Sequence, residues 1–271
     1  MKYKPVIEQF GRKDLWAFTN LCKEFAGIDA HKFFRMSEQA MNYYRQSISV
    51  RAVFRPQQEI ENRWYASLAA GKPDYTVYAD PYMLVEVWSC WVLYSRGYIR
   101  LLDALAKTEF GSLRTALGKI NSIGDIGCGC AYTTAAWKES YPFASVYGTQ
   151  YPNSAQFQIA SKMGRDHEFQ VLEKLDQHVD LVFASEYFEH WISPVEHLDE
   201  IILTATPNAM IIANAFGAKS VGHFDVYLHK GVPHKPSEIS RRFNERLREH
   251  GFTLLKTKFW NNRPSVWIRK R

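Results

Sequence analysis

From about residue 115 onward the chain alternates short apolar runs with amphipathic stretches. The apolar runs at residues 122–126, 144–150, 169–172, 180–185 and 209–215 have strand length, and the last is almost wholly apolar, as a strand covered on both faces requires. Helical periods stand between them. Ser193-Pro194-Val195-Glu196 combines a capping box with proline at the first helical position, and Val195, Leu198 and Ile202 follow at helical spacing. Ile239, Phe243 and Leu247 share a stripe on a last helix that Gly251 is placed to stop. Residues 252–260 and 265–269 flank Asn261-Asn262-Arg263-Pro264, a hairpin-like turn. Strands alternating with helices predict an α/β domain with a mainly parallel sheet over residues 116–271.

Residues 1–115 read differently, as a helical extension or lid. Asp80-Pro81 starts a helix running to Lys107, with Leu84, Val85, Trp88, Trp91, Val92, Ile99 and Leu102 on its apolar side. Glu86, Arg96, Arg100 and Asp103 interrupt that stripe too often for a bilayer span, so no membrane contact is expected. Tyr43, Tyr44, Trp64, Tyr65, Tyr75, Tyr78 and Tyr82 make the segment rich in aromatics suited to packing or to lining an acceptor pocket.

The chemistry concentrates in two places. Ser122-Ile123-Gly124-Asp125-Ile126-Gly127-Cys128-Gly129-Cys130-Ala131 is a strand ending in an acid, then a turn whose glycines let the backbone approach a ligand closely. A dinucleotide fingerprint needs a third glycine where Tyr132 stands, which argues against a nicotinamide or flavin cofactor. The second place is residues 180–190, an apolar strand opened by Asp180 and followed by Glu186, Glu189 and His190. The loop after the fifth strand adds His223, the preferred general base, with Asp225 and Tyr227 as candidate orienting groups. His223, His229 and His234 are spaced without any diagnostic metal pattern, and no metal ligands are assigned.

The D-x-G-x-G-x-A turn and the Asp180…Glu189-His190 strand together resemble the first and fourth-strand motifs of class I S-adenosylmethionine-dependent methyltransferases. The resemblance implies a Rossmann-like, doubly wound, mostly parallel seven-stranded sheet with an antiparallel C-terminal strand. It implies S-adenosyl-L-methionine as cofactor, held by Asp125, Gly127, Cys128, Gly129, Gln150 and Glu186, with Glu189, His190 and His223 serving the acceptor. Gln150 stands where the family usually has an acid for the ribose hydroxyls, and its amide can still hydrogen-bond two of them. A small-molecule acceptor is the leading reading. A nucleic-acid acceptor and a non-catalytic scaffold are the alternatives.

Charge and cysteine usage refine this. The net charge is +6, with acids concentrated in the middle of the chain and bases at both ends, including Arg241, Arg242, Arg246 and Arg248 on the last helix. Such a face suits phosphates but is more often solvated. Four cysteines without a metal or disulfide spacing, and a start lacking an apolar leader, point to a reduced, cytoplasmic protein.

Overall fold

The computed structural model describes residues 14, 17–27, 55–80, 83–84, 92, 95–99, 102, 111–257 and 264–269. Its centre is a seven-stranded sheet of β1 (Ser122–Ile126), β2 (Ser145–Thr149), β3 (Gln170–Leu172), β4 (Leu181–Ser185), β5 (Ala209–Ala213), β8 (Phe252–Leu255) and β9 (Ser265–Arg269), in the order β3-β2-β1-β4-β5-β9-β8. β9 runs antiparallel to both β5 and β8, and the other pairings are parallel. A hairpin of β6 (Tyr227–His229) and β7 (Val232–His234) stands apart. The doubly wound sheet with an antiparallel C-terminal strand is therefore as the sequence implied.

Strand order reverses between β1 and β4, so the crevice for a ligand lies at their carboxyl ends. All five residues of β5 are buried, because β4 and β9 flank it and helices cover its faces. Asp180, which opens β4, works at the opposite end. Its Oδ2 accepts the N–H groups of Asn121 (2.7 Å) and Ser122 (3.1 Å), and its Oδ1 accepts from Asn208 Nδ2 at 3.2 Å. That aspartate clasps three strands and is far from the site chemistry.

Among the described residues the helices include α1 (Arg55–Ala69), α2 (Leu113–Leu117), α3 (Tyr132–Ser140), α4 (Ala155–His167), α5 (Pro194–Ala205) and α6 (Pro236–Glu249), with 3-10 turns at Tyr75–Ala79 and Phe188–His190; residues 17–26 and 95–99 are helical as well. Ile239, Phe243 and Leu247 are the buried stripe of α6, each contributing about 1.5–3 kcal/mol of transfer free energy. Gly251 follows at φ +83°, as a helix-stopping glycine should. α5 begins at Pro194, but the expected capping box is absent. Ser193 makes no side-chain cap bond, and Glu196 Oε1 instead accepts the Lys230 N–H (2.7 Å) and meets His229 Nδ1 (2.9 Å). The β6–β7 hairpin won that carboxylate because two donors, the Lys230 N–H and His229 Nδ1, meet at its turn.

The N-terminal segment does not stand apart from the sheet's core. Ile60, Trp64, Val77 and Met83 belong to the apolar cluster containing Phe188, Phe224 and Phe243. Phe18, Cys22, Leu84, Val92, Ile99 and Leu102 join the cluster of Tyr132, Trp137 and Phe183 on the other side. Tyr43, Tyr44, Tyr82, Trp88 and Trp91, and the turn at residues 261–263, lie outside the described residues. Among the described residues no helix is long and apolar enough to cross a membrane.

Candidate active site

The turn after β1 is built on left-handed backbone. Gly127, Gly129 and Ala131 have φ of 68°, 58° and 62°. A Cβ on Gly127 would lie 2.3 Å from Cδ2 of Tyr187, so only glycine fits there. Thr149 ties the turn to β2: its carbonyl accepts the Cys128 N–H at 2.8 Å and its Oγ1 the Gly127 N–H at 3.1 Å. Ala131 caps α3 without a side-chain acceptor, which leaves first-turn N–H groups uncapped beside the cleft.

Asp125 is 2% exposed and accepts the hydroxyls of Thr133 and Thr134, both at 2.6 Å. Burial raises its pKa to about 6 against the opposing pull of the two hydroxyls. The donors to this acid are thus supplied by the protein's own helix α3. No motif in the sequence singled out those threonines.

A cleft opens at the switch point, lined by Asp125, Gly127, Cys128, Thr133, Phe183, Ser185 and Glu186, with Val92 and Ser95 from the N-terminal segment. Four of the predicted cofactor residues, Asp125, Gly127, Cys128 and Glu186, are therefore brought together. Gly129 shapes the turn without lining the cleft. Gln150 sits at the end of β2, where its Oε1 accepts the Tyr151 N–H at 2.8 Å, and it too is outside the lining.

Glu186 leads into a second constellation. It has φ of 51°, with its N–H held by Ala213 O at 2.7 Å. Its carboxylate lies near those of Glu189 and the ring of His223, with one donor atom of each within 4.8 Å of the others. Glu189 is fully buried; Oε1 accepts the Ala215 N–H at 2.7 Å, and the carboxyl also hydrogen-bonds with that of Glu186. Burial, and then the neighbouring Glu186, push its pKa up.

His223 is 4% exposed and donates Nδ1–H to the Ala218 carbonyl at 2.8 Å, which fixes the tautomer. Burial lowers its pKa, with the Ala218 and Ala215 carbonyls opposing, so the ring is neutral at pH 7. His190 meets Tyr78 Oη through Nδ1 at 2.8 Å and packs edge-on to His223 with ring centres 4.9 Å apart. Burial, and then the His223 ring, lower its pKa to about 3.

The orienting groups differ from those expected. Asp225 is exposed, and the Tyr227 hydroxyl donates to the Glu189 carbonyl at 3.2 Å. The loop carrying His223 is instead braced by the N-terminal segment. Trp64 Nε1–H donates to the His223 carbonyl at 2.7 Å and Tyr65 Oη to that of Ser220 at 3.3 Å. Trp64 also packs edge-on against Phe224. These partners are more than 150 residues apart in the chain, and no local pattern announces them. Tyr187 contacts the glycine turn and pairs its hydroxyl with His197 Nε2 at 2.8 Å, while Phe188 is core.

The other candidates are occupied elsewhere. His229 and His234 face Glu196 and Glu238, at 2.9 and 3.5 Å. On α6, Arg246 is held by Asp199 and Glu249, Arg241 by Glu245, and Arg248 lies over the Trp267 ring. Three of the four arginines expected to form a phosphate-binding stripe are thus engaged within the protein. Cys22, Cys128 and Cys130 are free, buried thiols.

No family model and no curated protein sequence matches the chain. Solved structures do. An O-methyltransferase family protein from Burkholderia thailandensis matches with a TM-score of 0.53 at 13% identity, covering 80% of this chain and 69% of that one. The mitomycin 7-O-methyltransferase MmcR matches with a TM-score of 0.49 at 14% identity, covering 88% and 68%. An O-methyltransferase from a multienzyme of Brevibacillus brevis, in complex with S-adenosyl-L-homocysteine, matches at 0.38 and 15%, covering 50% and 48%. With the strand order above, the likeness to the Burkholderia protein establishes the fold: the Rossmann-like fold of class I S-adenosylmethionine-dependent methyltransferases.

Proposed function

We propose that the chain is an S-adenosylmethionine-dependent methyltransferase acting on a hydroxyl group of a small molecule. The observation that carries this reading is the position of Glu186, which lines the glycine-turn cleft and also belongs to the carboxylate–histidine cluster. Cofactor and acceptor subsites then share a wall, as transfer between them requires.

The residues present fit the cofactor. The left-handed turn admits close approach of a ligand, the uncapped N-terminus of α3 offers N–H donors, and the cleft carries the acids Asp125 and Glu186 beside the Phe183 ring. Bound there, S-adenosylmethionine supplies an electrophilic methyl group on a sulfonium. Gly127, Cys128 and Glu186 hold it, and Gln150 reaches its ribose only if its side chain leaves the Tyr151 N–H. Neutral His223 takes the acceptor's proton, with its ring fixed by Ala218. Glu189 and His190 shape the acceptor side, and Tyr78 holds the His190 ring. Residues 1–115 act as the lid, since Val92 and Ser95 line the cleft and Trp64 braces the His223 loop. The engagement of Arg241, Arg246 and Arg248 within the protein favours a small molecule over a nucleic acid.

Calorimetric titration with S-adenosylmethionine, S-adenosylhomocysteine and NAD tests the cofactor. Micromolar binding of the first two, about 8 kcal/mol, without NAD binding is expected. Absence of binding by all three would sink the reading. His223→Ala should then remove turnover while leaving cofactor affinity nearly intact.

A further inference from the structure

The glycine turn after β1 is held from both neighbouring strands. Thr149 at the end of β2 accepts its Gly127 and Cys128 N–H groups. From the β4 side the ring of Tyr187 lies against Gly127 so closely that no Cβ fits between them. Tyr187 reaches that place through Glu186, whose φ of 51° is a conformation that persists only where its neighbours are firmly held. The bend sends Glu186 into the cleft and Tyr187 against the turn.

What holds Tyr187 is a chain of side chains leading out across α5. Its hydroxyl donates to His197 Nε2 at 2.8 Å and accepts the Trp191 indole N–H. His197 Nδ1 donates to Glu200 Oε2 at 3.1 Å, the two residues sharing a helix face at i, i+3. Trp191 stacks on the imidazole, with ring centres 3.6 Å and planes 17° apart. The bond directions agree along the whole chain. A carboxylate only accepts, which puts the imidazole proton on Nδ1 and leaves Nε2 to take the tyrosine proton; the phenol oxygen then accepts from the indole. Burial, against the opposing pull of Glu200, holds the His197 pKa below its usual value, as a neutral acceptor at Nε2 needs.

We propose that Trp191, His197 and Glu200 are positioning residues that act through Tyr187, holding the glycine turn in its ligand-binding shape and Glu186 aimed into the cleft. None of these side chains lines the cleft. Their influence passes through one ring, whose hydroxyl is fixed by two hydrogen bonds and whose body is the wall of the turn on the β4 side. Without those bonds the ring is free to withdraw from Gly127, and the turn keeps only its tether to Thr149. That the ligand is S-adenosylmethionine rests on the methyltransferase reading, whereas the hold on the turn does not.

Two measurements on the full-length chain test this: amide hydrogen exchange of residues 127–131 without ligand, and calorimetric affinity for S-adenosylhomocysteine. The amides of Gly127, Cys128 and Ala131 are hydrogen-bonded to Thr149 Oγ1, Thr149 O and Cys128 O, so loosening of the turn appears as lost protection. His197→Leu removes both imidazole bonds and should speed that exchange about tenfold and weaken binding about tenfold, equivalent to about 1.4 kcal/mol. His197→Gln places an amide oxygen near the Nε2 position and should recover most of both effects. Tyr187→Phe keeps the ring, drops the hydroxyl and should act in the same direction, which keeps the test decisive if His197→Leu fails to fold. Exchange in β5 should stay as in the wild type. Unchanged exchange of the turn in the folded variants overturns the proposal, and so does equal acceleration in β5, which marks a loss of stability alone. His197→Gln behaving no better than His197→Leu also overturns it. Faster exchange with unchanged affinity removes the role in ligand binding. A responsive turn in a wild type that binds no S-adenosylhomocysteine retains the positioning role and sinks the methyltransferase reading.

Discussion

Asp125→Asn isolates what burying an acid under the glycine turn costs the fold. The carboxylate is 2% exposed, and burial moves its pKa from the ordinary 3.8 to about 6 even with two threonine hydroxyls donating to it. The folded value lies above the unfolded one, so the folded state holds the proton more tightly. This contribution to stability is fully present below about pH 3.8 and is lost as the pH rises through about 6. At about 1.4 kcal/mol per pH unit between the two values, the whole loss is about 3 kcal/mol. Roughly half of it, about 1.5 kcal/mol, falls between about pH 5 and pH 8. Asparagine is nearly isosteric and keeps an oxygen for both hydroxyls, but it does not titrate. Urea unfolding of the two proteins across that window should show the variant gaining on the wild type as the pH rises. Parallel stability profiles would refute the reasoning, because they would mean that Asp125 titrates alike in the folded and unfolded chains.

Three further outcomes follow from the same geometry. Gly127→Val puts a branched side chain at φ 68° against Tyr187 and should abolish S-adenosylhomocysteine binding; calorimetric affinity equal to wild type would show that the turn does not hold the cofactor. Trp64→Phe leaves the buried His223 carbonyl without its donor and should cost about 1–3 kcal/mol in urea unfolding, whereas an unchanged midpoint would remove Trp64 as a brace. Gly222→Ala places a Cβ 1.7 Å from Tyr78 Oη and 2.5 Å from His190 Nδ1 at φ +80°. It should destabilise by at least about 1–2 kcal/mol from the backbone conformation alone. Adding Tyr78→Phe should recover part of any larger loss, and strict additivity of the two changes would contradict the contact.

The sequence by itself determined the order of elements, the glycine turn and the acid-rich end of β4. Those features are local: apolar runs of strand length, helical stripes such as Ile239, Phe243 and Leu247, and glycines where the backbone must turn left-handed. The aromatic N-terminal segment was legible as packing material but not in its partners. Only the tertiary structure showed that Asp125 is satisfied by Thr133 and Thr134, and that Ser193 and Glu196 do not cap one another. Only the fold brought His223 to Glu186 and Glu189, oriented by the Ala218 carbonyl and braced by Trp64 rather than by Asp225 or Tyr227. Hydrogen-bond donors and acceptors take whichever partner the folded chain brings within about 3 Å, and burial raises the cost of leaving any of them unpaired. Spacing along the chain encodes neither distance nor burial, so the fold was readable from pattern while the pairings inside the site depended on packing.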